Sequence, residues 1–438
     1  MKSADKTTLA TATAVAAPDG LTPPASAQRR VWMGNTAKAV AGLGLMSLVD
    51  PLIRAGAWAA GSDAPEKAEV KIGFIPLTDC ASVVMASVMG FDKKHGVKII
   101  PTKEASWAGV REKLSNGDLD LAHVLYGLIY GMQLGLAGAR QDMAVLMNLN
   151  QNGQGITLSR QLREAGVIDG ESLQKKMAGD PRQYTFAHTF PTGTHAMWLY
   201  YWLASHGIDP LAMRTVTVPP PQMVANMRIG NIDGFCVGEP WNARAIIDQL
   251  GFTAATSQDI WTDHPEKVLG TRLEFVQQHP NTARAVTAAI LEAGQWIDSS
   301  PANIRKTAQT IAAKSYVNTD VDTIVGRMLG QYDNGLGKSW ADKHPMRFYG
   351  DGAANFPYLS DGMWFLTQHK RWGLSKTHPD YLAVAGQVNR IDIYKQAAQA
   401  AGTALPASET RSSTLLDGVV WDGSDPAGYA DGFKIKAP

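Results

Sequence analysis

Apolar and polar positions fall into short blocks that alternate in period along this chain. Val70-Lys71-Ile72-Gly73-Phe74-Ile75, closed by Pro76, predicts a buried strand. Thr78 or Asp79 then caps a helix running toward Lys94, with Gly96 after it. Residues 97–101 predict a second strand, Trp107 follows in a loop, and a short helix covers 108–114. A strand at 119–125, a helix near 128–137 and a strand at 143–149 complete the first series. The order then restarts. A strand is predicted at 184–188, and Pro191-Thr192-Gly193-Thr194 opens a helix that ends near Gly207. Strands at 215–218 and 232–237 flank a helix at 222–229. Strands alternating with helices imply parallel βαβ units.

One short echo supports two similar lobes. Leu114-x-x-Gly117-x-Leu119-Asp120 matches Met227-x-x-Gly230-x-Ile232-Asp233 in spacing and type. Each reads as a helix stopped by glycine, leading into a strand that begins at an aspartate. Downstream, 282–297 and 301–315 have helical periodicity. The last hundred residues carry Trp340, Trp364, Trp372 and Trp421 but are too polar for a core of their own. They are expected to wrap the first lobe. The fold class is therefore α/β and two-lobed: a discontinuous first lobe from 68–150 and 266–438, a second from 151–265, and a ligand site in the cleft beyond the carboxyl ends of the strands.

Composition narrows the function. Net charge is +1 and charged residues are 18% of the chain, so no basic field points to nucleic acid. Residues 1–28 lack apolar periodicity. Arg29-Arg30 then precedes a mildly apolar stretch and the small-residue exit Ala57-Trp58-Ala59, the order of a twin-arginine export signal over residues 1–59. Without those residues the net charge is −2, so an anion ligand would need a local site. No cysteine follows the apolar stretch, and a freely diffusing periplasmic monomer without a lipid anchor is expected. Cys80 and Cys236, in different lobes, are expected unpaired.

Four segments at strand ends offer donors for a small oxyanion. Ser106-Trp107 supplies an indole N–H and a flat wall, although a structural aromatic is the plainer reading. Asn150 to Gly155 crowds amides, Gln154 among them, beside glycines in what also reads as a polar turn. Thr192 and His195 stand at a helix start, where the dipole favours an anion and where ordinary capping is the simpler account. Lys267, in His264-Pro265-Glu266-Lys267, offers a fixed charge, though most lysines are exposed. No phosphate loop, zinc motif or serine-nucleophile elbow is present. Gly234-Phe235-Cys236-Val237-Gly238 has an elbow's spacing and is a weak sign of catalysis.

With these segments assembled, the chain resembles the periplasmic nitrate/nitrite-binding proteins of ABC importers and their bicarbonate-binding relatives. The likeness spans about 68–438. It rests on KIGFIPLTDCA at 71–81, NGDLDLAHVLYG at 116–127, NLNQNGQGITLS at 148–159 and FPTGTHAMWLYYWLASHGIDP at 190–210. It continues in VPPPQMVANMRIGNIDGFCVGEPWNARAI at 218–246, HPEKVLGT at 264–271, SDGMWFLTQHKRWG at 360–373 and FKIK at 433–436. The resemblance implies a C-clamp periplasmic binding protein of type II-like architecture with no enzymatic activity. It also implies a membrane permease and ATPase as partners, and an anion held by Trp107, Gln154, His195 and Lys267. A lysine at the last position implies nitrate or nitrite. An acidic residue there marks bicarbonate binders, which puts the neighbouring Glu266 in question. Protonated His195 and Lys267 are expected to balance the anion's charge, with Thr192 adding a donor. No cofactor or metal is expected. Bicarbonate or cyanate capture, a sensor, and a two-lobed enzyme on the same fold are the alternatives.

Overall fold

The apolar runs become strands of two mixed, five-stranded sheets. The computed structural model describes residues 63–136 and 138–438, so the twin-arginine reading of 1–59 lies outside the described residues. The chain first lays down β1 (Glu69–Phe74), β2 (Lys98–Lys103), β3 (Leu121–Leu125) and β4 (Met143–Asn148). It then crosses to a second sheet for β5 (Gln154–Ser159), β6 (Thr185–His188), β7 (Arg214–Thr217), β8 (Gly234–Gly238) and β9 (Gly251–Thr256). Finally β10 (Lys267–Arg272) returns to the first. The strand orders, β2-β1-β3-β10-β4 and β7-β6-β8-β5-β9, are the same pattern twice.

The expected parallel units are present, and one strand in each sheet, which sequence reading did not predict, runs against the other four. β1 pairs in parallel with β2 and β3, and β6 with β7 and β8. β10 runs antiparallel between β3 and β4, and β5 antiparallel between β8 and β9. The reason is where the chain enters. Lys267 lies opposite Leu125, at the carboxyl end of β3, and Gln154 opposite Gly238, at the carboxyl end of β8. A chain arriving at that end can only run back down the sheet. These strands escaped sequence reading because Gln154-Gly155 and Lys267 weaken local strand preference, which pairing on both sides overrides.

Local signals fix the helices. The predicted helix from 78 to 94 is broken at Gly90, whose φ of 77° ends one segment before Phe91–Lys94 begins the next. What precedes the break is a 3-10 turn, Thr78–Cys80, and α1 (Ala81–Val88). Trp107 opens α2 (Trp107–Asn116) rather than sitting in a loop, because Ser106 Oγ accepts the Gly109 N–H at 3.2 Å. The repeated motif proves structural: Gly117 and Gly230 are both left-handed, at φ 87° and 75°. Asp120 then accepts the Lys71 N–H at 2.9 Å, as Asp233 accepts that of Thr185 at 2.8 Å.

α3 (Tyr126–Gln133) and α4 (Thr194–Ser205) pack against each other. A side chain at Gly127 would come within 2.5 Å of the Thr192 carbonyl, so glycine admits the loop that starts α4. One face of the first sheet packs on α1 and on α5 (Pro280–Asp298), burying Val70, Ile72, Val83, Val286 and Ile290 together. The C-terminal segment does more than cover the first sheet. In α6 (Leu359–Arg371), Trp364 stacks on Trp198 of α4 with centroids 4.8 Å apart. Phe433 meets Tyr201 at 5.7 Å. Among the described residues, no helix is long and apolar enough to cross a membrane.

Gly127→Ala forces the Thr192 loop off α3 and is expected to lower unfolding free energy by about 1–3 kcal/mol. Urea denaturation followed by circular dichroism checks it, and unchanged stability contradicts the close approach.

Candidate functional site

The two chain crossings bring charged and amide side chains to the carboxyl ends of both parallel strand sets. They run antiparallel to each other and are bonded together: Asn152 N–H donates to the His264 carbonyl at 3.2 Å, and Leu149 N–H to that of Lys267 at 2.7 Å. Gln151 and Pro265 form an antiparallel bridge. Gln154 and Lys267 are the first residues after these crossings, which fixes both side chains in the seam between the sheets.

Lys267 is fully buried (0% exposed), contrary to the usual fate of lysine. Its ammonium donates to Asp79 Oδ2 and to Glu266 Oε1, both at 2.8 Å. Asp79 sits in the turn after β1; its Oδ1 takes His123 Nε2 at 2.6 Å and its Oδ2 also takes Gln154 Nε2 at 3.3 Å. Glu266 Oε2 accepts the Trp198 indole N–H at 2.9 Å. Gln154 Oε1 accepts from His195 Nε2 at 2.6 Å, so the other ring nitrogen, Nδ1, is left to accept the Thr189 hydroxyl at 2.5 Å. The chain of donors runs in one sense from Thr189 through His195 and Gln154 to Asp79.

These bonds set the charges. Burial pushes the Asp79 carboxyl up, but Lys267 and His123 outweigh it and hold Asp79 well below its ordinary value. Burial likewise raises Glu266, and there the opposing pull of Lys267 does not win. Lys267 is lowered by burial and raised more by its two carboxylates, so it stays an ammonium. Burial, then Lys267, takes His195 well below the usual imidazole value. The expectation of a protonated His195 is thereby corrected: a fully buried ring beside an ammonium is neutral. His264, also buried, is pushed down to about 3. One ammonium therefore faces two carboxylates with neutral imidazoles around them.

Four of the five residues named from sequence come together here. Trp107 is the closing wall: its ring centre lies 5.8 Å from Lys267 Nζ and 5.8 Å from the His123 ring. Its buried Nε1 has no hydrogen-bond partner. Thr192 is placed elsewhere. Its side chain lies against Gly131 of α3, its carbonyl accepts from His369 at 2.9 Å, and Thr189 takes the place beside His195. Sequence reading missed Asp79, His123 and Trp198. Asp79 had a signal, as a polar residue directly beyond an apolar strand; Trp198 had another, three residues after His195 on one helix face. Gly234 to Gly238, the elbow-like spacing, is simply the buried strand β8, with the Cys236 thiol pushed up by burial. Cys80 and Cys236 are both free.

The remaining binding capacity lies in hydrogen-bond donors. The ammonium has a third N–H beyond its two carboxylates, and the Trp107 indole has its own. α4, twelve residues long, presents an N-terminus that no side chain caps, with the Thr194 hydroxyl unpartnered beside it. Among the described residues, no group of His, Cys, Asp or Glu is arranged to hold a metal ion. The seam is shut by bonds across it, among them Thr78 N–H to the Glu239 carbonyl at 2.7 Å and Trp241 Nε1 to that of Pro76 at 2.9 Å.

Residues 63–312 match the NMT1-like family. The nitrate/nitrite binding protein NrtA of Synechococcus elongatus is 41% identical, over 86% of this chain and 89% of that protein. The crystal structure of the periplasmic nitrate-binding protein NrtA from Synechocystis aligns with a TM-score of 0.81 at 36% identity, covering 85% of this chain and 100% of that one. The bicarbonate transport ATP-binding protein CmpC of Synechocystis is 33% identical over 83% of this chain and 55% of its own length. The doubled sheet, the sealed polar seam and these likenesses lead to one assignment: the chain belongs to the NMT1-like family as a homologue of NrtA, and is a solute-binding protein rather than an enzyme.

Proposed function

We propose that this protein captures nitrate or nitrite between a lobe formed by 68–150 with 266–438 and a lobe formed by 151–265, and delivers it to an ABC importer. The observation that carries this is the pair of uncommitted buried donors, Trp107 Nε1 and the third Lys267 N–H, together with the uncapped start of α4. A planar anion with acceptors only suits such donors. Gln154 adds a third, since its 3.3 Å bond to Asp79 is long and easily redirected. His195 and Thr189 hold that amide in orientation. Homology to periplasmic NrtA and the Arg29-Arg30 segment support export by the twin-arginine route, and a monomer docking on a permease and its ATPase is the working assembly.

Bicarbonate is the second reading, favoured by one observation. Glu266 brings a carboxylate to the site that can accept the O–H of bicarbonate, which nitrate lacks. Thermal unfolding against nitrate, nitrite, cyanate and bicarbonate separates the readings. At a concentration of 100 times Kd the true ligand adds about 2.7 kcal/mol of stability. A shift with bicarbonate alone overturns the nitrate assignment.

Trp107→Phe keeps the ring and removes its N–H. It is expected to weaken nitrate roughly tenfold to a hundredfold in calorimetry, the worth of one hydrogen bond to a charged group. Lys267→Gln removes the ammonium from between two buried carboxylates. Stability at neutral pH is expected to fall by about 3–5 kcal/mol, and nitrate should no longer raise it. With the ammonium gone, both folded-state carboxyls lie above their unfolded values. That penalty is full above the raised folded values and fades as pH falls through them toward the unfolded range, so the deficit in urea unfolding should shrink toward about pH 4.

A further inference from the structure

The site holds too much negative charge for its proposed ligand. Within the sealed seam, Lys267 is the cation touching Asp79 and Glu266, since burial first of all holds the His123 ring against Asp79 below the ordinary imidazole value, and its charge is cancelled once by Asp79. Glu266 is then an excess negative charge, 0% exposed, beside the donors an anion must use. Adding a further anion would place two uncompensated charges in a space without water access, which is prohibitively unfavourable. We propose that anion capture takes up one proton per anion, and that Glu266 receives it.

This inference rests on the reading that an oxyanion binds in the seam. A proton from solvent adds to Glu266 Oε1, and no other bond is made or broken. The Lys267 N–H now held by Oε1 turns to the anion, while Asp79 keeps its own. Oε2 still accepts from Trp198, and the new O–H can donate to an anion oxygen. Capture is then electroneutral for a singly charged oxyanion. A doubly charged one would leave a second buried charge, so Glu266 also selects ligand valence.

Every other titratable group around Glu266 is already committed. Asp79 serves three donors: His123, Gln154 and Lys267. The ring of His195, 3.6 Å from Oε1, donates to Gln154 and accepts from Thr189, both bonds consistent with its neutral form. His264, 3.9 Å from Oε2, meets the Pro265 carbonyl at 2.9 Å and the Ser257 hydroxyl at 2.7 Å, the pattern of a neutral ring. Cys236 on β8 is a buried thiol, and Arg411, beyond His264, is held by Asp361. Burial displaces the Glu266 carboxyl toward protonation, in the same sense.

Calorimetry of sodium nitrate binding to the purified chain near pH 7.5, repeated in buffers of different ionisation enthalpy, counts the protons. A slope of about one proton taken up per nitrate is expected, with Kd rising about tenfold per pH unit over the coupled range. Nitrate binding with zero slope overturns the inference and leaves the anion site standing. Absence of any nitrate heat or thermal shift overturns the anion site itself. Glu266→Gln should bring the proton count to zero and flatten the pH dependence; a count still near one overturns the choice of Glu266. Should that variant fail to fold, infrared difference spectra of the unmodified protein decide the point. Nitrate should raise a carboxylic-acid carbonyl band, and its absence alongside proton uptake overturns Glu266 as the acceptor.

Discussion

The rest of the structure is organised around one buried ammonium held between two carboxylates. Taking such ions out of water costs several kcal/mol apiece, and their attraction in the interior offsets this only when the geometry is good and the remaining valences are filled. At Lys267 that condition is met from both sides of the seam. His123 approaches on the first sheet, while Gln154 and Trp198 approach from the second. The triad is weak evidence for stability in itself. Its effect is that donors from both sides of the seam reach the same few oxygens, which ties the bonding across the seam to the chemical state of the site.

Topology explains why these residues meet. Two passages between the sheets, both at the carboxyl ends of the parallel strands, force β5 and β10 to run backward and leave their first residues in the seam. A binding residue placed this way does not depend on loop conformation, because it is already the end of a central strand. The C-terminal segment then fixes the far wall. Trp364 lies on Trp198 and 5.3 Å from Trp261, so the indole that holds Glu266 is packed on a ring supplied far along the chain after β10.

The strands that recur with helices were readable because apolar residues dominate them, as in 70–75 and 143–149. The aspartates of the repeated motif were readable because a glycine stop and a polar strand start have fixed spacing. β5, β9 and β10 were not, since Gly251, Gly155 and Lys267 give no local reason to extend. Trp107, Gln154, His195 and Lys267 could be placed at strand or helix ends, and the resemblance selected them. Their charge state was beyond reach. His195 looked cationic while its burial and the nearness of Lys267 were unknown. Glu266, visible as a neighbour, gave no sign that it would face the same way as Lys267, because consecutive strand residues normally point to opposite faces; Glu266 escapes this by lying just before the strand.

The bonding between the two crossings has a mechanical consequence. Two independent tethers would let the halves slide and tilt in several directions. Here Asn152, Gln151, His264 and Pro265 join the tethers into one narrow ribbon, whose easy deformation is twist about its own length. Atoms on such an axle scarcely travel when it turns. Gln154 and Lys267 sit at its ends, so under the two-lobed reading proposed above they would keep their spacing while Trp107 and His195 travelled with the lobes.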